Sequence, residues 1–229
     1  MKTYPVFAVI ENRPCLVVGG GAVGERKVQD LLVAGARVTV VSRNLTPGLA
    51  DLAFRGKISF LSENFNDTHV EGMALVMAAT DDPEVNARVS AAARNRAVWV
   101  NVADDPEHCT FIVPAQVKRG DLTLAISTNG ASPALARKVR EELQEHFGPE
   151  YGPYLDLLRR VRTRLLTERR AHPDNAGLFH RLVRSPLKDA IAIGDRAWVL
   201  KVLHEVMGEV LSTPVLGELV SQAFKETEG

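Results

Sequence analysis

Cysteine is nearly absent from this chain: Cys15 and Cys109 are the only two in 229 residues. Two isolated thiols supply neither a disulfide framework nor a CxxC metal clip, and they suit a reducing compartment. Cys15, inside an apolar run, reads as a small buried hydrophobe. Net charge is absent as well, since 28 Lys and Arg face 28 Asp and Glu, so no global field recruits nucleic acid or an anionic membrane surface. No apolar run approaches the roughly 18 to 20 residues that cross a bilayer, and the start Met1-Lys2-Thr3-Tyr4-Pro5 lacks a secretory apolar region. These absences make the cytoplasm the expected location, with no nucleic acid and no membrane among the expected partners. What is present, 45% hydrophobic and 24% charged residues, suffices for a substantial core in one large domain or two smaller ones.

Apolar runs recur at Cys15 to Val18, Val38 to Val41, Ile58 to Leu61, Ala74 to Ala79 and Val98 to Val102, with helix-like stretches between them. That alternation predicts an α/β fold, a Rossmann-like parallel sheet wrapped by helices. The stretch Ala22 to Ala34 sets Val23, Val28, Leu31 and Leu32 near one face at helical spacing, and Gly35 follows as a C-terminal stop. After Val102 the pattern changes. Cys109 to Pro114 and Leu122 to Thr128 read as two strands around the turn Arg119-Gly120-Asp121, and Ser132-Pro133 starts a helix to about Phe147. From Gly148-Pro149 onward only helices are expected, broken near His172-Pro173, Ser185-Pro186, Gly194 and Thr213-Pro214. The expected domains are therefore residues 1–114, a nucleotide-binding sheet domain; 115–149, a small α+β segment; and 150–229, an all-helical C-terminal domain whose Leu155, Leu158, Val161, Leu165, Val199, Val202, Leu203 and Val206 form packing faces.

Gly19, Gly21 and Gly24 spell GxGxxG at the junction of the first strand and the first helix. In a dinucleotide fold the first glycine permits the tight turn, the second lets backbone approach the pyrophosphate, and the third lets helix pack on strand. The backbone N–H groups of Gly21, Ala22 and Val23 are then the phosphate donors. A carboxylate commonly closes the second strand and holds the adenosine ribose, but here the run ends Val41-Ser42-Arg43. Ser42 can serve a ribose hydroxyl of NAD and Arg43 a 2′-phosphate of NADP, so the residues leave the subtype open.

Ligands of an open parallel sheet bind beyond the carboxyl ends of its strands, which brings in the ends of the fourth and fifth strands. Thr80, in Ala79-Thr80-Asp81-Asp82-Pro83, is a candidate cofactor contact, while Asp82 before Pro83 reads as a helix cap. Asn101 is a further candidate contact. The loop behind it, Ala103-Asp104-Asp105-Pro106-Glu107-His108-Cys109, gathers carboxylates, an imidazole and a thiol where acid-base chemistry is useful, with Asp104 the candidate catalytic group.

Taken together, GGGAVGERK at 19 to 27, VTVVS, ATDDPEVN at 79 to 86, NVADDPEHCTFIVPA at 101 to 115 and ISTNGASPALARKVR at 126 to 140 resemble the precorrin-2 dehydrogenase family, which includes the amino-terminal module of siroheme synthase. The resemblance spans roughly residues 1 to 150. It implies NAD-dependent oxidation of precorrin-2 to sirohydrochlorin by a homodimer whose middle segment exchanges contacts between subunits. By motif match the family's catalytic aspartate falls on Asp104, and the hydroxyl of its STGG loop on Thr128, with Ser127 and Asn129 beside it as substrate contacts. Asn129 replaces the usual glycine and Ala103 a more typical valine; asparagine tolerates a left-handed backbone better than most residues. Arg137, Lys138 and Arg140, or the arginines from 159 to 170, are candidates to fork the carboxylates of a tetrapyrrole, with Arg137 the favoured one and a solvated helix face the simpler reading of the second group.

Some family members also insert Fe2+ into the product. Asp104, Asp105 and His108 offer oxygen and nitrogen donors without the spacing of a closed metal site, so iron enters only as a candidate substrate and no structural metal is expected. The length leaves no room for an appended methyltransferase module, so precorrin-2 is expected from a separate protein. Two other functions compete: an NAD(H)-sensing module with a helical output domain, which has no need of the carboxylate loop, and an oxidoreductase acting on another small acid.

Overall fold

The computed structural model describes residues 2–170 and 172–225, which form two compact units, one up to Val113 and one from Pro114. The first unit runs β1 (Pro14–Val18), α1 (Ala22–Val33), β2 (Arg37–Val41), α2 (Pro47–Phe54), β3 (Ser59–Leu61), β4 (Leu75–Ala78), α3 (Pro83–Asn95) and β5 (Trp99–Val102). All pairings are parallel and the strand order is β3-β2-β1-β4-β5. The chain works outward from β1 to β3, then crosses back to β4 on the other side of β1, so the switch point lies between β1 and β4.

Because side chains alternate along a strand, each central strand feeds two cores. Cys15 and Val17 join Val28 and Leu31 of α1 and Leu49 of α2 on one face. Leu16 and Val18 join Val89 and Ala92 of α3 on the other. The four residues of β4 are all buried, as expected for a strand covered on both faces. Burial pushes the Cys15 thiol above its ordinary range, with nearby Arg13 opposing the shift, which keeps it an inert apolar filler.

One strand differs from expectation. Cys109 to Pro114 is not a strand; the hairpin is β6 (Ala115–Arg119) with β7 (Leu122–Ile126), turning at Gly120 with φ 56°. The apolar character of Cys109 to Ile112 serves the first unit instead. Thr110 N–H donates to the Val100 carbonyl at 2.8 Å and its Oγ1 accepts from Val100 N–H at 2.8 Å, while Cys109 Sγ accepts from Val102 N–H at 3.1 Å. This segment therefore closes the outer edge of β5 with one backbone group and two side chains.

In the second unit the hairpin is followed by α4 (Pro133–His146), α5 (Tyr151–Glu168), α6 (Asn175–Arg184), α7 (Leu187–Ala192), α8 (Arg196–Met207) and α9 (Thr213–Lys225). Arg119 ties β6 to α4 by donating to the Phe147 carbonyl at 2.8 Å and the Gln144 carbonyl at 3.1 Å, which satisfies acceptors left over at the helix C-terminus. The helical core is built on Tyr154, Leu157, Val161 and Leu165 of α5 against Leu182, Leu203 and Leu216. Leu157, rather than Leu155, faces inward because the 3-4 spacing is set by Tyr154 at the start of α5. Among the described residues no helix is long and apolar enough to cross a membrane.

Leu203 is fully buried at the centre of that core. Leu203→Ala is expected to cost the second unit about 2–5 kcal/mol, read as a lower urea midpoint of the helical signal.

Candidate functional site

The glycine loop lies at the switch point, where its lack of side chains is a geometric requirement. Gly19 has φ 117°, and a Cβ there would run into the carbonyl of Ala79, just past β4. A Cβ on Gly24 would strike the Gly19 carbonyl, so this glycine sets the approach of α1 to the turn. Gly21 is different: nothing lies within 4 Å of where its Cβ would be. It caps α1 without a side-chain bond, and Glu25 N–H returns to its carbonyl at 2.9 Å, so the N–H groups of Ala22, Val23 and Gly24 stand at the open end of the helix dipole. Gly20, outside the GxGxxG spacing, is equally constrained, since a Cβ would meet the Asn44 carbonyl and Ser42 Oγ. Its place in the middle of three consecutive glycines was its sequence signal.

In front of this loop opens a cavity of about 1110 Å³. Its wall includes Gly19, Gly21, Ala22, Val23, Ser42, Arg43, Thr80 and Asp104, so most of the residues singled out from the sequence meet around one space. Ser42 Oγ donates to the Asn44 carbonyl at 2.8 Å, and Arg43 Nε donates to Asn64 Oδ1 at 2.8 Å. Thr80 is fixed from α3: its N–H and hydroxyl both donate to Oδ1 of buried Asn86, at 3.2 and 2.8 Å, and Asn86 Nδ2 returns a bond to the Thr80 carbonyl at 3.0 Å. Asp82 caps α3, accepting from the N–H groups of Glu84 and Val85. Asn101 stands apart from the cavity wall. It is buried and donates to the Phe111 carbonyl at 3.1 Å, bracing the segment that covers β5.

Asp104 reaches the cavity from the tip of the loop after β5, exposed and left-handed at φ 57°. The loop behind it is held at several points. Ser90 Oγ donates to the His108 carbonyl at 2.6 Å, Arg94 Nη2 to the Glu107 carbonyl at 2.7 Å, and Cys109 Sγ to the Asp105 carbonyl at 3.2 Å. Asp105 Oδ2 lies 2.7 Å from His108 Nδ1. Desolvation of Asp105 acts to raise its pKa, but the ring, backbone N–H and charge of His108, with the backbone N–H of Glu107, together outweigh it and hold the carboxyl below its ordinary value. Lys27 on α1 is half-buried; desolvation, with Arg26, pulls its amine below the ordinary lysine range, while Asp30, Asp104 and Cys109 oppose the shift. A cation on the helix behind the glycine loop is thus coupled to Asp104, a link that the adjacent GERK sequence only hinted at.

The remaining candidates belong to the second unit. Thr128 Oγ1 donates to the Ser132 carbonyl and accepts from its N–H, both at 3.1 Å, and Ser127 Oγ accepts from Asn129 N–H at 3.0 Å. Asn129 takes φ 53° where glycine is more usual. Ser132 then caps α4. Arg137 is exposed and donates to Glu141 Oε1 at 3.0 Å. Of the later arginines, Arg159 and Arg160 engage Asp156, and Arg164 engages Glu168, all on α5. Among the described residues no three His, Cys, Asp or Glu side chains cluster as a metal site.

A parallel sheet with a side-chain-free cradle at its switch point, an open helix N-terminus and a large adjoining cavity defines a dinucleotide-binding protein of the Rossmann type. Comparison with known proteins narrows this. Residues 6–115 match a family described as putative NAD(P)-binding, and residues 119–146 match the central segment of sirohaem biosynthesis proteins. Siroheme synthase 1 of Aeromonas salmonicida is 38% identical over 221 residues, covering 96% of this chain and 47% of that protein. The siroheme synthase of Methylobacillus flagellatus is 48% identical over 152 residues, 66% of this chain and 32% of the other. The chain thus spans about half or less of the length of these relatives. Among solved structures, SirC, a precorrin-2 dehydrogenase, superposes with a TM-score of 0.73 at 26% identity, covering 90% of this chain and all of that one. The chain belongs to the siroheme synthase family, in which it corresponds to the amino-terminal, NAD(P)-binding module.

Two outcomes test this geometry. Gly24→Ala should force α1 away from the turn, at a cost of about 1–3 kcal/mol, and weaken NADH binding at least tenfold on nicotinamide fluorescence, by about 1.4 kcal/mol or more. His108→Ala should raise the Asp105 pKa toward its ordinary value of 3.8, as followed by carboxyl-carbon NMR. The sign follows from linkage: with a depressed folded pKa, the Asp105–His108 contact contributes stability above the unfolded pKa and loses it as pH falls through the folded one.

Proposed function

We propose that the chain catalyses the NAD-dependent oxidation of precorrin-2 to sirohydrochlorin. The observation that carries this reading is the placement of the Asp104 carboxylate in the wall of the same cavity as the glycine loop. Gly21, Ala22 and Val23 hold the pyrophosphate through backbone N–H groups, and Thr80, fixed by Asn86, lines the route between the phosphates and Asp104. When bound, NAD supplies the two-electron acceptor, taking a hydride from the tetrapyrrole. Asp104 accepts the proton released at the same time, or a water that it orients does so. Its left-handed tip position sets the carboxylate forward into the cavity, while the Asp105–His108 and Cys109 contacts keep the loop from collapsing. Lys27, on the helix behind the loop, places a cation within electrostatic reach of Asp104.

Ser127, Thr128, Asn129 and Arg137 bind the substrate, Arg137 by forking one of its carboxylates. The active form is a homodimer. Each strand of the β6–β7 hairpin has a single neighbour, α4 has no fully buried residue and Leu135 on it is 50% exposed. A two-stranded hairpin of this kind is marginal alone and gains most from a partner surface. Fe2+ is a second substrate candidate, handled after oxidation, and the protein works in the cytoplasm.

The test is incubation of the purified chain with precorrin-2 and NAD without iron, following sirohydrochlorin by absorbance, then addition of Fe2+. Oxidation is expected, and iron uptake above the protein-free rate would add the chelatase step. Asp104→Asn should slow oxidation by about 10²-fold or more with NADH still bound. No oxidation with NAD or NADP, by a chain that binds the cofactor, would favour the sensor reading.

A further inference from the structure

The second strand lacks the carboxylate that dinucleotide folds commonly use to hold an unphosphorylated ribose, because β2 runs out into Ser42 and Arg43. An acid stands one strand over. β3 pairs parallel to β2 with Leu61 opposite Val41, and Ser42 N–H donates to the Leu61 carbonyl at 3.2 Å, so the segments leaving the two strands run side by side. Glu63, two residues past β3, lies in the wall of the same cavity as Ser42 and Arg43.

Its carboxylate is anchored. Oε1 of Glu63 is 2.9 Å from Nε2 of His69, whose ring is 9% exposed and sits edge-on to Phe65. His69 Nδ1 accepts the N–H of Asn66 at 3.2 Å, and its Nε2 meets both Glu63 Oε1 and, at 3.1 Å, Asn66 Nδ2. The nearby cation is turned toward a neighbour, Arg43 Nε donating to Asn64 Oδ1 at 2.8 Å. The cavity rim thus presents a half-exposed carboxylate held at one oxygen by His69, and a guanidinium whose Nε is bonded to a neutral amide.

We propose that Glu63 selects NAD over NADP, its carboxylate accepting hydrogen bonds from the ribose hydroxyls of NAD and repelling the 2′-phosphate of NADP. The acid that the second strand lacks is supplied from the third. This inference rests on the glycine-loop cavity being the nicotinamide dinucleotide site.

The experiment measures Kd for NADH and NADPH on the full chain by nicotinamide fluorescence, without tetrapyrrole. The parent should prefer NADH. Glu63→Gln, which keeps the shape and removes the charge, should lower that preference about tenfold, mainly by tightening NADPH, because like-charge repulsion is what has been removed. Glu63→Ala should relax it in the same direction, which separates charge from a local packing fault that would weaken both cofactors together. A preference unchanged within about twofold in both variants, or a parent that binds the two cofactors equally, overturns the role of Glu63 while leaving the dinucleotide site standing. A parent that binds neither overturns both.

Discussion

The close approach of two backbones, the turn at Gly19 and the chain leaving β4 at Ala79 and Thr80, governs the rest of the first unit. It fixes where α1 begins and which N–H groups face outward. It also sets the spacing between β1 and β4 at the point where the sheet reverses its order. No side chain larger than hydrogen fits there, so the cavity's location follows from what is missing at Gly19, Gly20 and Gly24. The polar groups then assemble on a frame already set: Asn86 reaches back from α3 to hold Thr80, and the β5 loop brings Asp104 to the same rim.

The parallel sheet and its handover to helices were legible because buried strands write continuous apolar runs and glycine requirements are local. Cys109 to Ile112 misled for the same reason. An apolar run covering a sheet edge through Thr110 and Cys109 looks, in one dimension, like a strand that joins a sheet. The candidate site residues divide along similar lines. Gly21, Ser42, Arg43 and Thr80 were readable because they directly follow strand ends, where an open parallel sheet exposes its chain to ligand. Glu63, Asn86 and Lys27 were not, because their importance arises from neighbours 6 or more positions away, as with His69 for Glu63 and Thr80 for Asn86. Asn101 carried a polar signal that the fold spends on Phe111.

Two kinds of electrostatic device meet at the cavity. The phosphate end relies on backbone dipoles, which cannot titrate and need no side-chain ordering. The end near Asp104 relies on ionisable groups: Asp104 itself, the desolvated Lys27 amine and the Asp105–His108 pair beneath the loop. The phosphate cradle itself thus carries no titratable group, whereas the rim near Asp104 does.

The covering of β5 has a consequence for assembly. Open sheets invite further strands at their edges. Here one edge is β3, only three residues long, and the other has its donors and acceptors occupied by Thr110 and Cys109. A three-residue margin on one side and a covered one on the other both limit growth of the nucleotide-binding sheet. The hairpin of the other unit differs, since each of its strands has one neighbour, so edge protection is concentrated in the unit whose geometry the cavity depends on.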